Sequence, residues 1–112
     1  MIEQIDAAAL SEARTQALSG AVLLDVREPW EYERARISES INVPMSTLGS
    51  RVDEVRALQE SAGAPLVLIC HHGSRSMQCA QFLAGQGLGS LINLSGGIDA
   101  WSQRVDPSIA RY

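Results

Sequence analysis

Residues 66–76 read LVLICHHGSRS, an apolar run followed by a short polar segment. Apolar runs without polar alternation are typical of strands buried on both faces, as in a parallel sheet covered by helices. Gly73 then suits a turn, and a helical pattern follows it. The stretch therefore predicts a buried strand ending at Cys70, a tight loop, and a helix that begins near residues 74–76.

Apolar runs and helical patterns alternate along the rest of the chain. Further strands are expected over residues 21–26, 40–43 and 91–94, with a short fifth strand over residues 2–5. Helices are expected from a cap at Asp6 to about Leu18, from Pro29 through Tyr32, over residues 46–58, after Cys70 as far as the glycines at 85–89, and after Gly96-Gly97. The alternation predicts one α/β domain over residues 1–112 with a parallel sheet.

Composition excludes several classes of function. Of the 112 residues, 46% are apolar, which is ordinary for a globular domain. The nine basic residues are all arginine and face 13 acids, so the formal charge is −4. This balance argues against a broad surface for nucleic acids or acidic membranes. The lack of lysine also excludes a lysine Schiff base and a Walker-type phosphate loop.

Cysteine use and the N-terminal residues bear on the compartment. The first 18 residues carry acids and no long apolar run, so they do not form a secretory signal, and no stretch approaches a membrane span. Two cysteines do not make a disulfide framework, and a bridge between Cys70 and Cys79 is not expected. We therefore expect a cytoplasmic protein with free thiols, either a monomer or a weak dimer.

The segment after Cys70 has the residue types of a reactive, anion-facing site. A tight loop that leads into a helix N-terminus directs backbone N–H groups at its centre, and these stabilise a thiolate. Arg75 adds a permanent charge with a fork suited to oxyanions, while Ser74 and Ser76 are suited to cap the helix or donate to a bound group. The alternative is that Cys70 is a buried strand-end residue. Two histidines and an arginine beside the thiol favour the reactive interpretation.

Four motifs carry a family resemblance. The loop CHHGSRS at residues 70–76 resembles the active-site loop of rhodanese-type sulfurtransferases in their single-domain form. LLDVREPWE at residues 23–31, INVP at residues 41–44 and LSGGIDAW at residues 94–101 resemble the other signatures of that family, in the same order. Together they span nearly the whole chain.

The resemblance implies a three-layer domain with a five-stranded parallel sheet and helices on both faces. It implies that Cys70 takes a sulfane sulfur from thiosulfate or a persulfide donor and passes it to cyanide, a thiol or a protein. The substrate-binding residues implied are the rest of the loop, namely His71, His72, Gly73, Ser74, Arg75 and Ser76. Such a reaction needs neither a metal nor an organic cofactor.

The chain departs from the family pattern in one segment. Residues 35–40, ARISES, stand where the family commonly has Gly-His-Ile-x-Gly-Ala. That segment is structural in the family, so the change bears on local turn geometry, although Arg36 is a candidate for altering the rim of the site. The loop also differs from the Cys-Gly-Ser/Ala-Gly-Val-Thr pattern of mercaptopyruvate sulfurtransferases, which favours thiosulfate or a persulfide as the donor.

Other interpretations of the same residues stay open at this point. A metal site built from the neighbouring residues Cys70, His71 and His72 together with Cys79 is disfavoured, because adjacent side chains converge poorly on a tetrahedral ion. A phosphatase with a Cys-x5-Arg loop is an alternative, but here the arginine is the fifth residue after the cysteine. A binding module without catalysis is a third.

Four more residues have a structural and a functional interpretation. Asp25 and Arg27 follow a central strand, where functional groups gather, but a buried carboxylate that fixes nearby loops, with Arg27 paired to Glu28 or Glu31, is the favoured interpretation. Cys79 lies on the apolar stripe with Ala80, Phe82 and Leu83, so we expect it in the core rather than as a resolving thiol. Trp101 is expected to pack behind Gly96-Gly97.

Overall fold

A computed structural model describes residues 2–112 and contains one five-stranded sheet. All strand pairs are parallel, and the order across the sheet is β1-β5-β4-β2-β3. The strands are β1 Glu3–Ile5, β2 Val22–Asp25, β3 Ile41–Asn42, β4 Leu66–Ile69 and β5 Leu91–Leu94. Each lies within or coincides with a predicted run, so the five-stranded parallel sheet is confirmed.

Six helices cover the two faces of this sheet. They are α1 Ala7–Ala13, α2 Pro29–Arg34, α3 Met45–Leu48, α4 Val52–Ala62, α5 Ser74–Gly85 and α6 Gly97–Arg104. Every residue of β4 is buried, with Leu66 and Leu68 in one apolar cluster and Val67 and Ile69 in the other. This is the expected result of side-chain alternation in a strand covered on both faces, and it confirms the three-layer architecture.

The apolar clusters show which helices cover which face. The first contains Val55 of α4 and Leu83 of α5. The second contains Leu10 of α1 and Trp101 of α6, and Trp101 is only 4% exposed, as expected. With β4 at the centre, its carboxyl end meets loops from both neighbouring strands, β2 and β5. The three connections that follow β2, β4 and β5 therefore meet around the residues after Ile69.

Two predicted helices have different bounds in the structure. The helix that begins after Asp6 ends at Ala13 rather than near Leu18. The hydroxyl of Thr15 donates to the Glu12 carbonyl, and the backbone amides that follow no longer bond the carbonyl four residues earlier, as an α-helix requires. The single helix expected over residues 46–58 is two helices, α3 and α4. Ser50 bonds the Thr47 carbonyl through both its amide and its hydroxyl, which ends the regular helix.

The side chain of Phe82 lies outside the buried face of α5. Phe82 was expected on the buried stripe of α5, but it is 40% exposed, whereas Cys79, Ala80 and Leu83 are buried. The apolar face of the helix is therefore narrower than its sequence pattern indicates.

None of the helices within residues 2–112 combines the length and hydrophobicity that crossing a membrane requires.

Candidate active site

Cys70 lies directly after β4, with its sulfur held by the loop that follows. The Gly73 amide donates to Cys70 Sγ at 3.0 Å, and Ser76 Oγ lies 3.2 Å from the same sulfur. Gly73 adopts a φ of +110°, which residues with a side chain rarely reach, so glycine is what allows this turn. The cysteine itself is only 1% exposed. Two donors thus face one buried sulfur, an arrangement that stabilises negative charge on it.

The N-terminus of α5 supplies further donors beside the sulfur. The first backbone bond of the helix runs from the Met77 amide to the Gly73 carbonyl, so the amides of residues 74–76 have no backbone acceptor. Such amides make a helix N-terminus attractive to anions. Neither Ser74 nor Ser76 caps the helix, because the N-cap residue is Gly73 and no side chain caps it. The other predicted role of these serines, donation to a bound group, stays a prediction.

The glycine pair at residues 96–97 supports the Cys70 loop from behind. The Ile98 amide donates to the Cys70 carbonyl at 2.9 Å, and the Asp99 amide donates to the His71 carbonyl at 3.1 Å. A Cβ on Gly97, whose φ is +60°, would lie 2.5 Å from the Cys70 carbonyl oxygen. The N-terminus of α6 therefore packs directly on the loop backbone, which explains why glycine is needed there.

Asn93 is a buried polar residue that sequence reasoning missed. Its Oδ1 accepts a hydrogen bond from Ser76 Oγ, and its Nδ2 donates to the Gly73 carbonyl at 3.1 Å. The side chain thus ties β5 to Gly73 and to the first turn of α5. A signal was present, since Asn93 is the one polar residue in the apolar run LINL of β5.

Arg75 is paired with Glu31, a contact that the sequence analysis did not anticipate. Its two terminal nitrogens donate to the two carboxylate oxygens of Glu31 at 2.6 and 2.9 Å. This bond from the Arg75 guanidinium is the main reason that the pKa of Glu31 falls to about 2, and the pKa of Arg75 is raised in turn. The arginine fork that was expected to face a bound anion is therefore occupied by a carboxylate of α2.

Asp25 and Arg27 form a second, fully buried ion pair. Arg27 donates from Nε and Nη2 to the Asp25 carboxylate at 2.7–3.1 Å, and both side chains are inaccessible to solvent. The expected carboxylate partner of Arg27, Glu28 or Glu31, was wrong, although Arg27 Nη1 does reach the Glu31 carbonyl. Each charge needs a partner at this depth, and Asp25 on β2 is the one within reach.

Aromatic rings line one side of the loop. The imidazoles of His71 and His72 stack with their centroids 4.0 Å apart, and Tyr112 stacks on His71 at 4.1 Å. Both histidines therefore lie on the same side of the loop. Tyr112 also donates through its hydroxyl to Glu31 at 2.8 Å and accepts from Arg27. Nothing in the local sequence around Tyr112 points to this contact.

Two further candidates lie outside the ring of contacts around the sulfur. Cys79 is a free thiol in the buried cluster with Leu83, and burial raises its pKa to about 11. It is a core residue, as expected. Arg36 places its guanidinium 4.9 Å from the centre of the Tyr32 ring, which is a cation–π contact with α2.

The chain is similar in sequence to known sulfurtransferases. Residues 6–104 match the family model described as Rhodanese-like domain. A sulfurtransferase of Allochromatium vinosum is 32% identical over 110 residues, which cover 98% of this chain and 97% of that protein. The thiosulfate sulfurtransferase GlpE of Pseudomonas syringae is 33% identical over 90 residues, covering 79% of this chain and 80% of the relative.

Solved structures and longer relatives agree with that match. The crystal structure of a rhodanese-related protein from Thermoplasma volcanium superposes with a TM-score of 0.76 and 32% identity, covering 98% of this chain and 99% of the other. Several other curated relatives are longer proteins, and the chain spans only 19–30% of their length.

Proposed function

Because the chain belongs to the rhodanese-like domain family of sulfurtransferases, we propose that it moves a sulfane sulfur through a persulfide on Cys70. The observation that carries the proposal is the environment of the Cys70 sulfur. Its Sγ accepts a hydrogen bond from the Gly73 amide at the N-terminus of α5, with the Ser76 hydroxyl at 3.2 Å. A cysteine in this setting is a nucleophile that needs no separate general base.

The reaction proceeds in two displacements. The Cys70 thiolate attacks the outer sulfur of the donor, a new S–S bond forms, and the donor's S–S bond breaks. With thiosulfate the electron pair leaves on sulfite, and with a persulfide it leaves on a thiolate. In the second step cyanide, a thiol or a protein thiolate attacks the outer sulfur of the Cys70 persulfide and releases the Cys70 thiolate.

The remaining residues of the loop form the binding surface in this proposal. The unpaired amides of residues 74–76 and the amide of Gly73 stabilise negative charge on the persulfide and the donor. His71 and His72 form one side of the approach to Cys70. We place the reaction in the cytoplasm, where thiols stay reduced, in a protein that acts as a monomer or weak dimer.

Sulfur loading of single-cysteine variants tests the proposal. Thiosulfate or a persulfide is added to the reduced protein, and the mass of each cysteine peptide is measured. One added sulfur is expected on the Cys70 peptide, turnover to thiocyanate is expected with cyanide, and Cys70→Ser is expected to abolish both while keeping the fold.

Cys79→Ala is the matched control, because it removes the other thiol from the core without touching the loop. It is expected to load as the parent protein does. Turnover by Cys70→Ser, or sulfur found on Cys79, contradicts the proposal. An aryl phosphate serves as a second substrate, and its rapid hydrolysis assigns the site to phosphoryl transfer instead.

A further inference from the structure

The ion pair between Arg75 and Glu31 determines the charge beside the Cys70 loop. Its two bonds, 2.6 and 2.9 Å long, use both terminal nitrogens of the guanidinium. The Glu31 side chain is 5% exposed, so water screens its charge little. A donor that approaches Cys70 therefore meets an arginine whose charge is cancelled at close range.

Glu31 is held in place and held ionised. Its Oε1 accepts from the Glu28 amide at 3.0 Å, and its Oε2 accepts from the Tyr112 hydroxyl at 2.8 Å. Together with Arg75 these donors keep the pKa of the carboxyl at about 2. The negative charge of Glu31 is consequently present at neutral pH.

The other charges near the loop also cancel in pairs. Arg27 is bound to Asp25 at 2.7 Å, and Arg111 is bound to Asp99 at 3.0 Å. Burial lowers the pKa of His71, which favours the uncharged imidazole. His72 has its Nδ1 3.9 Å from the Asp99 carboxylate. With these side-chain charges paired, the backbone amides at the start of α5 are the group beside Cys70 that attracts an anion.

In the proposed reaction these amides face the Cys70 thiolate, whose sulfur accepts the 3.0 Å bond from the Gly73 amide. Thiosulfate would bring two more negative charges to this site. A persulfide with an uncharged carbon part brings none as RSSH and only one as its anion, RSS⁻. The Coulomb cost of bringing the donor to the thiolate is therefore much smaller for the persulfide.

Building on the function proposed above, we infer that the preferred sulfur donor of Cys70 is a persulfide of low charge, and that Glu31 determines this preference by neutralising Arg75. The Cys70 thiolate attacks the terminal sulfur of RSSH, and the new S–S bond forms as the old one breaks. Cys70 becomes CysSSH, and the electron pair leaves on RS⁻, which takes a proton from water. The GlpE relative is named for thiosulfate, so thiosulfate is the reference donor against which this inference is measured.

The test measures single-turnover loading of Cys70 by mass spectrometry, with thiosulfate and with the persulfide of 2-mercaptoethanol. The parent protein is expected to load faster from the persulfide. Glu31→Gln frees the charge of Arg75 and is expected to raise the thiosulfate rate by roughly tenfold or more, while the persulfide rate changes less than about threefold. Arg75→Ala does not discriminate, because both a direct anion contact and the present inference predict slower use of thiosulfate.

Glu54→Gln is the matched control. It removes a carboxylate from another bidentate arginine pair, with Arg51, but on the exposed surface of α4. Both loading rates are expected to stay at the parent values.

A measurement on the parent protein covers the case in which Glu31→Gln does not fold. Added salt screens repulsion between the thiolate and thiosulfate, so the thiosulfate rate is expected not to fall as ionic strength rises. A steep fall would mean that an uncompensated positive charge attracts the donor, and it would overturn the inference.

The outcomes separate this inference from the function on which it rests. If thiosulfate loads the parent protein as fast as the persulfide, or if Glu31→Gln leaves the thiosulfate rate unchanged, the inference is wrong and the Cys70 sulfurtransferase stands. If neither donor places sulfur on Cys70, the proposed function itself is wrong.

Discussion

Ser76 has one hydroxyl proton and three acceptors within reach. Its Oγ lies 3.2 Å from Cys70 Sγ, 3.2 Å from the Gly73 carbonyl and 2.5 Å from Asn93 Oδ1. When Cys70 is a thiol, its own S–H is able to donate to Ser76 while Ser76 donates to Asn93. When Cys70 is a thiolate, the hydroxyl is able to turn to the sulfur. Ser76 therefore couples the charge of Cys70 to the side-chain amide of Asn93 in β5.

Ser76→Ala is expected to slow sulfur loading of Cys70. The variant removes one of the two donors at the sulfur, and a hydrogen bond to a charged group contributes about 1.5–3 kcal/mol, so the rate falls by roughly tenfold or more. Single-turnover loading of Cys70, with either thiosulfate or a persulfide as the sulfur donor, measures this rate. Ser40→Ala is the control, since Ser40 is also buried and bonded, to the Ile37 carbonyl, on a different segment. Equal loading rates in the two variants would show that Ser76 does not act on the sulfur.

At the scale of elements, α6 supports the loop through its first turn. Amides of Ile98 and Asp99 bond the carbonyls of Cys70 and His71, and Gly97 packs against the same carbonyls. The loop is consequently fixed from one side by α6 and from the other by α5. The GG pair in the sequence predicts a tight turn, but only the contact of Gly97 with the Cys70 and His71 carbonyls shows why that residue is glycine.

Gly97→Ala is expected to destabilise the fold and to slow sulfur transfer more than stability alone accounts for. The added Cβ overlaps the Cys70 and His71 carbonyls at a φ of +60°, so the loop must move, at a cost of about 1–3 kcal/mol. Chemical denaturation and loading kinetics under folding conditions measure the two effects. Gly85→Ala is the control, because nothing lies within 4 Å of its Cβ position in α5. Its stability is expected to be unchanged or slightly higher.

Local patterns account for most elements but not for their ends. Pro29 starts α2 and the apolar run at residues 91–94 matches β5, because proline geometry and strand burial act over a few residues. The break between α3 and α4 was not predicted, although Gly49 and Ser50 stand there. An apolar stripe continues across the break, since Leu48 and Val55 both reach the same core cluster. The spacing of the buried apolar residues is thus that of one continuous helix, although the backbone forms two.

At the scale of the whole molecule, a chain of polar contacts joins distant segments around the site. Asp25 binds Arg27, which donates to Tyr112, which donates to Glu31, which binds Arg75. These residues come from the end of β2, from α2, from α5 and from the last residue of the sequence. The chain of contacts therefore links global stability to the state of one carboxyl group, Glu31.

The Arg75–Glu31 pair predicts a loss of stability in acid. In the folded protein Glu31 stays charged down to about pH 2, whereas in the unfolded chain it is protonated near pH 4.5. Its contribution is complete above pH 4.5 and is lost as the pH falls toward 2. The pKa difference corresponds to about 2–3 kcal/mol after allowing for the partial exposure of Arg75.

Denaturant unfolding between pH 2 and pH 6 measures this prediction. Glu31→Gln is expected to show a shallower loss of unfolding free energy on acidification than the parent protein. Glu54→Gln, which breaks an exposed pair, is expected to follow the parent curve. The same pH dependence in the parent protein and in Glu31→Gln would show that Glu31 is not the linked group.

The sequence by itself determined the succession of strands and helices along the chain, the position of Cys70 after a buried strand, and the turn at Gly73 into a helix. These follow from side-chain periodicity and backbone preferences, which act between near neighbours. Only the tertiary structure decided which side chains pair with one another beside the loop. Glu31 and Arg75 are 44 residues apart, and Tyr112 reaches Glu31 across 81. Such pairs depend on strand order and helix placement, so the charge beside Cys70 is a property of the packed molecule rather than of its loop motif.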